Sequence, residues 1–156
     1  MHRVLVAVPA CALAVLVAAV AASARQPDRA QAQGTSSVTV IEHAASDTTT
    51  DTGKSGDSAG DVLTFANSVF DASDARKVGT DQGYCIRIVP GRSYECTWTT
   101  ALKGGQLVVA GPFFDKRDST LAITGGTGRY RDARGTMELH ALANGTKFRF
   151  AFKITN

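Results

Sequence analysis

From residue 37 onward, apolar side chains recur at every second position. Val38, Val40 and Glu42 alternate with Thr39, Ile41 and His43. Leu63, Phe65, Asn67 and Val69 share one face of the segment 61–71, and Phe148, Phe150, Phe152 and Ile154 alternate with Lys147, Arg149, Ala151 and Lys153. A period of two puts successive side chains on opposite faces of a strand, so each segment predicts a strand with one buried face. The same reading gives strands at 37–44, 61–71, 81–89, 92–102, 106–114, 119–124, 136–142 and 147–154. Pro90-Gly91, Gly104-Gly105 and Asn144-Gly145 punctuate the connections as turn-forming pairs. Eight strands with no convincing helix predict an all-β sandwich or a closed antiparallel barrel. Closure removes the unpaired edges that an open sheet would leave.

Polar stretches separate these strands. Residues 25–36 are rich in Gln, Ala and Ser without a period, which predicts a flexible leader. Residues 47–60 are nearly all Asp, Thr, Ser, Gly and Lys and read as a mobile, solvated loop. The aspartates there do not have the spacing of a calcium loop. Residues 71–80 read as a polar connection.

The chain starts differently. His2 and Arg3 precede an almost wholly apolar run from Val4 to Ala22, followed by Ala22-Ser23-Ala24. This is the pattern of a secretory signal over residues 1–24, cleaved after Ala24. The alternative is an N-terminal membrane anchor, because the run approaches spanning length, but its alanines and Pro9 favour cleavage. The mature protein is then a leader, 25–36, and a single domain, 37–156, that is exported to the extracellular space. The formal charge of +3 falls to +2 without Arg3, too mild to attract nucleic acid or an anionic membrane.

Export matters for the two cysteines that remain, because a pair in an oxidising compartment most simply forms a disulfide. If the hairpin centres between Pro90 and Gly91, each position i faces 181 minus i, which sets Cys85 across from Cys96. Closing so short a loop contributes roughly 3 kcal/mol in the chain-entropy account.

Most catalytic constellations are missing from the sequence. His43 and His140 stand alone, so no metal cluster is predicted, and there is no Cys-x-x-Cys or Gly-x-Ser-x-Gly. Aromatic residues are few and do not alternate with a basic stripe, which argues against nucleic acid. What remains is polar residues on apolar faces. Glu42 shares a face with Val38 and Val40, and Asn67 with Phe65 and Val69. A buried carboxylate is costly unless paired, and a buried amide needs partners. Each is therefore either a structural group or a functional one. Arg87 shares its face with Cys85, opposite Tyr94. If Tyr94, Cys96 and Trp98 point inward, Arg87 does too, and it could neutralise Glu42 or meet a ligand carboxylate. If Tyr84, Ile86 and Ile88 point inward, Arg87 is a surface charge. The pattern leaves both open.

Glycines 125, 126, 128 and 135 crowd the segment Ile123–Gly135. They indicate a strand connection with close backbone approach. The dinucleotide fingerprint fails, because Arg131 stands where its next glycine belongs. The order Gly-Gly-Thr-Gly-x-Tyr-x-x-Ala-Arg-Gly over 125–135 resembles the signature of the allene oxide cyclase and dirigent proteins. The resemblance runs from Gly60 to Ile154 and includes residues 60–67 (Gly-Asp-Val-Leu-Thr-Phe-Ala-Asn), Gly83-Tyr84-Cys85 and Gly111-Pro112-Phe113. It implies an eight-stranded antiparallel barrel around an apolar lumen that takes a hydrophobic small molecule. By the same resemblance Glu42 would stabilise positive charge and Asn67 would bind a polar oxygen. Phe65, Arg87, Tyr94 and Trp98 would contact the ligand, with no cofactor required. Ala44 replaces a water-binding asparagine of that family, and its Ser-Pro is missing. The function implied is an isomerase or cyclase-like reaction, with a non-catalytic dirigent-type guide or binding module as the alternative. Association into a homo-oligomer stays open.

Overall fold

The computed structural model describes residues 34–155; the expected signal segment and most of the leader lie outside them. Nine strands follow in order: β1 (Thr35–His43), β2 (Thr48–Thr50), β3 (Val62–Asp71), β4 (Lys77–Val89), β5 (Ser93–Leu102), β6 (Gly105–Phe114), β7 (Ser119–Gly126), β8 (Arg134–Leu142) and β9 (Lys147–Thr155). Each strand from β3 to β9 pairs antiparallel with the next, β9 pairs with β1, and β1 pairs with β3. This closes an eight-stranded antiparallel barrel, to which β2 adds a short piece along the start of β3.

Two polar stretches differ from their expected form. β4 starts at Lys77, so the connection after β3 is short. The 47–60 segment contains β2 and is tied down at several points. The Asp61 carboxylate accepts N–H bonds from Thr52 (3.1 Å) and Ser58 (2.7 Å), and Asp57 sits 2.6 Å from Arg87. Polar composition predicted solvation there, but these carboxylates face donors on the same loop and on β4. Composition does not record such pairing.

Inward positions sort into two halves. In the lower half Val40, Val69, Leu107, Val109, Leu121, Met137, Phe152 and Ile154 fill the interior and are almost fully buried. The glycine segment closes this end. A Cβ on Gly128 would lie 2.2 Å from the Gly104 carbonyl oxygen, and one on Gly126 would lie 2.3 Å from that of Gln106. Only glycine permits that backbone contact, which brings Tyr130 and Ala133 into the core. A 3-10 turn, Gly128–Tyr130, follows where a phosphate site would need a longer helix.

The third hairpin has the register expected of it. Cys85 pairs with Cys96 and Arg87 with Tyr94, and the two cysteines are joined, with Cα atoms 4.0 Å apart. Thiol titration of the unfolded, unreduced protein is expected to find neither cysteine free, and detection of two thiols would contradict the linkage.

Candidate functional site

In the upper half the inward side chains stop short of meeting and leave a cavity of about 240 Å³. Six aromatic residues line it: Phe65, Tyr94, Trp98, Phe113, Phe148 and Phe150. Leu63, Leu139 and the Cys85–Cys96 bridge complete its apolar wall. The rings pack edge to face or tilted, with Phe65 at 6.0 Å and Phe150 at 5.4 Å from Trp98. Such packing fixes the ring positions. Gly83 makes the Trp98 position possible, because a Cβ there would lie 2.3 Å from the Trp98 Cβ. Phe113, Leu139 and Phe148 also border a wider outer depression of about 560 Å³, whose rim includes Lys116, Arg117 and Asn144.

Two acids reach this cavity, Glu42 from β1 and Asp47 from the segment before β2. Glu42 is only 4 % exposed. Asn67 lies between them, its amide nitrogen donating to Glu42 Oε1 (2.9 Å) and to Asp47 Oδ1 (2.8 Å). The Asn67 oxygen accepts from the Ala45 and Ser46 backbone N–H groups, both at 3.0 Å, and from the Ser46 hydroxyl at 2.9 Å. Asn67 is thereby fully engaged and does not line the cavity. The expectation that it binds a substrate oxygen meets this placement: its amide orients Glu42 and pins the β1–β2 connection.

Behind Glu42 is a third acid. Asp81 lies on β4 directly across from Asn67 and is 2 % exposed. Its carboxyl neighbours that of Glu42. Neither of its oxygens has a hydrogen-bond partner among the described residues. Burial, with the neighbouring Glu42 charge, pushes Asp81 up to about 9. Burial also raises Glu42, Asp47 adds to that rise, and the hydrogen bond from Asn67 opposes it. Each carboxyl thus opposes ionisation of the other, and burial opposes ionisation of both.

Arg87 does point to the interior side, since Tyr84, Ile86 and Ile88 on the alternate face are exposed. Its partner differs from the one anticipated. The guanidinium bonds both Asp115 oxygens at 2.8 Å and approaches Asp57 at 2.6 Å. It also lies 3.6 Å from the Tyr94 ring centroid. It neither neutralises Glu42 nor lines the cavity; it buttresses Tyr94 from behind. Of the residues expected to contact a ligand, Phe65, Tyr94 and Trp98 line the cavity and Arg87 does not.

Sequence reasoning missed Asp47 and Asp81. Asp47 was hidden in a polar run. Asp81 was the first residue of an expected strand, and its parity with Gly83 and Cys85 was the signal that put it inside. Among the described residues no group of three or more metal-ligating side chains is placed to hold a metal ion.

A family model described as allene oxide cyclase matches residues 31–156. Among solved structures, the fold is similar to that of a pyocyanin demethylase, with 26% identity, 74% of this chain and 98% of that chain covered, and a TM-score of 0.64. It is also similar to a pterocarpan synthase dirigent protein (17% identity, 79% and 84% covered, TM-score 0.63). A third likeness is to a Diels-Alderase from Streptomyces koyangensis (12% identity, 81% and 70% covered, TM-score 0.62).

Proposed function

The chain belongs to the allene oxide cyclase family, and from that premise we propose that its lumen binds a hydrophobic small molecule and acts on it in an isomerase or cyclase-like reaction. One observation carries this reading: a cavity walled by aromatic rings is lined by a buried carboxyl with no cationic partner among the described residues. A charge kept there against the cost of burial is suited to stabilise positive charge that develops on a bound substrate, or to move a proton. In this scheme Glu42 is the group that touches the substrate. Asn67 sets its orientation and Asp81 lies beside it. Phe65, Tyr94 and Trp98 give shape, and shape alone can hold a flexible substrate near a reactive geometry. The chemistry calls for no cofactor.

Glu42→Gln keeps the shape and removes the charge. With pyocyanin and an allene oxide as first substrates, kcat is expected to fall on the order of 100-fold, while affinity for a neutral apolar ligand changes little. If the parent binds such a ligand but converts no substrate, the dirigent-type reading takes its place, with the lumen as a passive guide; the structural likeness to a dirigent protein favours that second reading. The disulfide and the apolar start of the chain support export, with residues 1–24 removed and the leader 25–36 ahead of a single barrel domain.

A further inference from the structure

Among the described residues, the large apolar side chains that stay exposed all lie on one strand. They are Tyr84, Ile86, Ile88 and Val89 of β4, with Ile88 53 % and Val89 41 % exposed. β3 pairs with β4 only as far as Ile86, and backbone bonds with residues 60 and 61 end at Arg87. On that side β4 then runs on without a neighbouring strand. Ile88, Val89 and the exposed Pro90 form an apolar tip to the β4–β5 hairpin. Contiguous apolar side chains left in water mark a surface that meets a partner.

Three cations stand around the same tip. Arg92 follows the β4–β5 turn, Lys116 and Arg117 come from the β6–β7 turn, and with Gly91 and Phe114 they line a cleft of about 320 Å³. The two turns are joined, because the Asp115 N–H donates to the Arg92 carbonyl at 3.1 Å. No acid lines this cleft. The nearby carboxylates serve other partners: Asp57 and Asp115 hold Arg87, and Asp118 is bonded to His140 at 2.6 Å. Arg117 rests on the Phe114 ring instead, 3.8 Å from its centroid. Glu95 flanks the apolar stripe, but opposite Ile86 and away from the tip. Apolar side chains beside unpaired cations suit a lipid interface, where the first enter the headgroup layer and the second meet lipid phosphates. The net charge of the chain is too small to draw it there, and the placement of these three cations supplies what the sum lacks.

We propose that the mouth end of the barrel docks on an anionic lipid bilayer, with Ile88 and Val89 entering the interface and Arg92, Lys116 and Arg117 meeting lipid phosphates. Lys116 and Arg117 also rim the outer depression, which shares Phe113, Leu139 and Phe148 with the lumen. A bilayer held at this rim lies at the opening, so a hydrophobic molecule passes between lipid and lumen with little exposure to water. The docking stands on the surface alone; its use in uptake or release rests on the reading that the lumen binds small molecules. The closed end carries exposed cations too, Lys103, Arg129, Arg131 and Arg134, but no large apolar side chain is exposed beside them among the described residues. That end is therefore a charge-matched control.

Vesicle flotation tests it, with phosphatidylcholine alone and with about a third of the lipid replaced by phosphatidylglycerol. The parent protein is expected to bind the anionic vesicles on the order of tenfold more tightly than the neutral ones, and added salt should release it. Lys116→Gln with Arg117→Gln should weaken binding on the order of tenfold. Ile88→Ser with Val89→Thr should weaken it as well, although no charge is removed. Lys103→Gln with Arg131→Gln removes as much charge from the closed end and should leave binding unchanged. Thermal melts confirm that each variant is folded, and the lipid and salt dependence of the parent needs no variant. Equal binding of the parent to both lipids, or to neither, overturns the proposal. An equal loss in the closed-end variant also overturns it, since charge alone then attracts the chain, and so does full binding by the Ile88 and Val89 variant. If the parent fails to float and that variant turns a larger species into a smaller one on size exclusion, the stripe is covered by a second copy and the proposal falls. None of these outcomes touches the lumen reading, which Glu42→Gln tests separately.

Discussion

Asp81→Asn is expected to raise the melting temperature above that of the parent protein at alkaline pH, by on the order of 10 °C at pH 9. The reason lies in where a proton is held. Below about pH 4 both the folded and the unfolded chain keep the Asp81 proton. As pH rises the unfolded chain releases it, while the folded chain retains it until about 9. Between those limits the folded state binds the extra proton, so stability from this group falls by at most about 1.4 kcal/mol per pH unit. An asparagine has nearly the same shape and no proton to lose. Its melting curve should therefore decline less from pH 5 to 9 than that of the parent, the remaining decline coming from Glu42. On the acid side the two should fall together. Asp61, Asp71 and Asp74 are held below the usual carboxylate range, chiefly by backbone hydrogen bonds from Ser58 and Ala75 and by a side-chain bond from Lys147. Those carboxylates stabilise the fold above their unfolded values and lose that contribution as pH drops through their folded ones. Thermal melts across pH 3 to 9 check both limbs, and equal slopes for parent and variant above pH 5 would contradict a buried Asp81 that keeps its proton.

Asn67→Ala is expected to be the most damaging single change at the site, lowering the melting temperature by roughly 10–20 °C. Five hydrogen bonds converge on this amide. Their loss leaves the Ala45 and Ser46 N–H groups without their acceptor and removes a donor from a buried carboxylate. Breaking one side of a buried charged network costs about 3–5 kcal/mol, most of it from the charge left behind. That origin predicts a specific rescue. With Glu42→Gln in the background, the buried charge is gone, and Asn67→Ala should cost appreciably less. A double-mutant cycle followed by thermal melting reads the difference, and strict additivity would mean that Asn67 acts only on the loop.

The strand period was legible because half-buried strands write it plainly. Leu63, Phe65, Asn67 and Val69 face inward as their alternation requires, and turn pairs fixed the register that joins Cys85 to Cys96. The glycine segment was legible as close backbone contact, and Gly128 against Gly104 is that contact. The site itself was only half legible. Glu42 stood out as a charge among valines. Asp81 did not, because an aspartate at the start of a strand looks like part of a turn. The partners of Arg87 come from residues 57 and 115, two loops whose approach depends on barrel closure and leaves no local pattern. Asn67 was seen as buried, but which way its amide reached depended on residues 45–47, a connection with no period.

The solid lower half and the open upper half of the barrel divide the chain's tolerance for change. Below, the side chains already touch, and enlarging or shrinking any one of them strains or empties a packed layer. Above, Phe113, Leu139, Phe148 and Leu63 border empty space on one side. Exchanging them alters the shape of the chamber without undoing the layer that holds the barrel shut. Diversification can then proceed at one end of the molecule while the other end keeps the fold. A library confined to those four positions should yield mostly folded proteins with new ligand preferences, and the same library placed on Leu107, Leu121, Met137 and Phe152 should yield mostly unfolded ones.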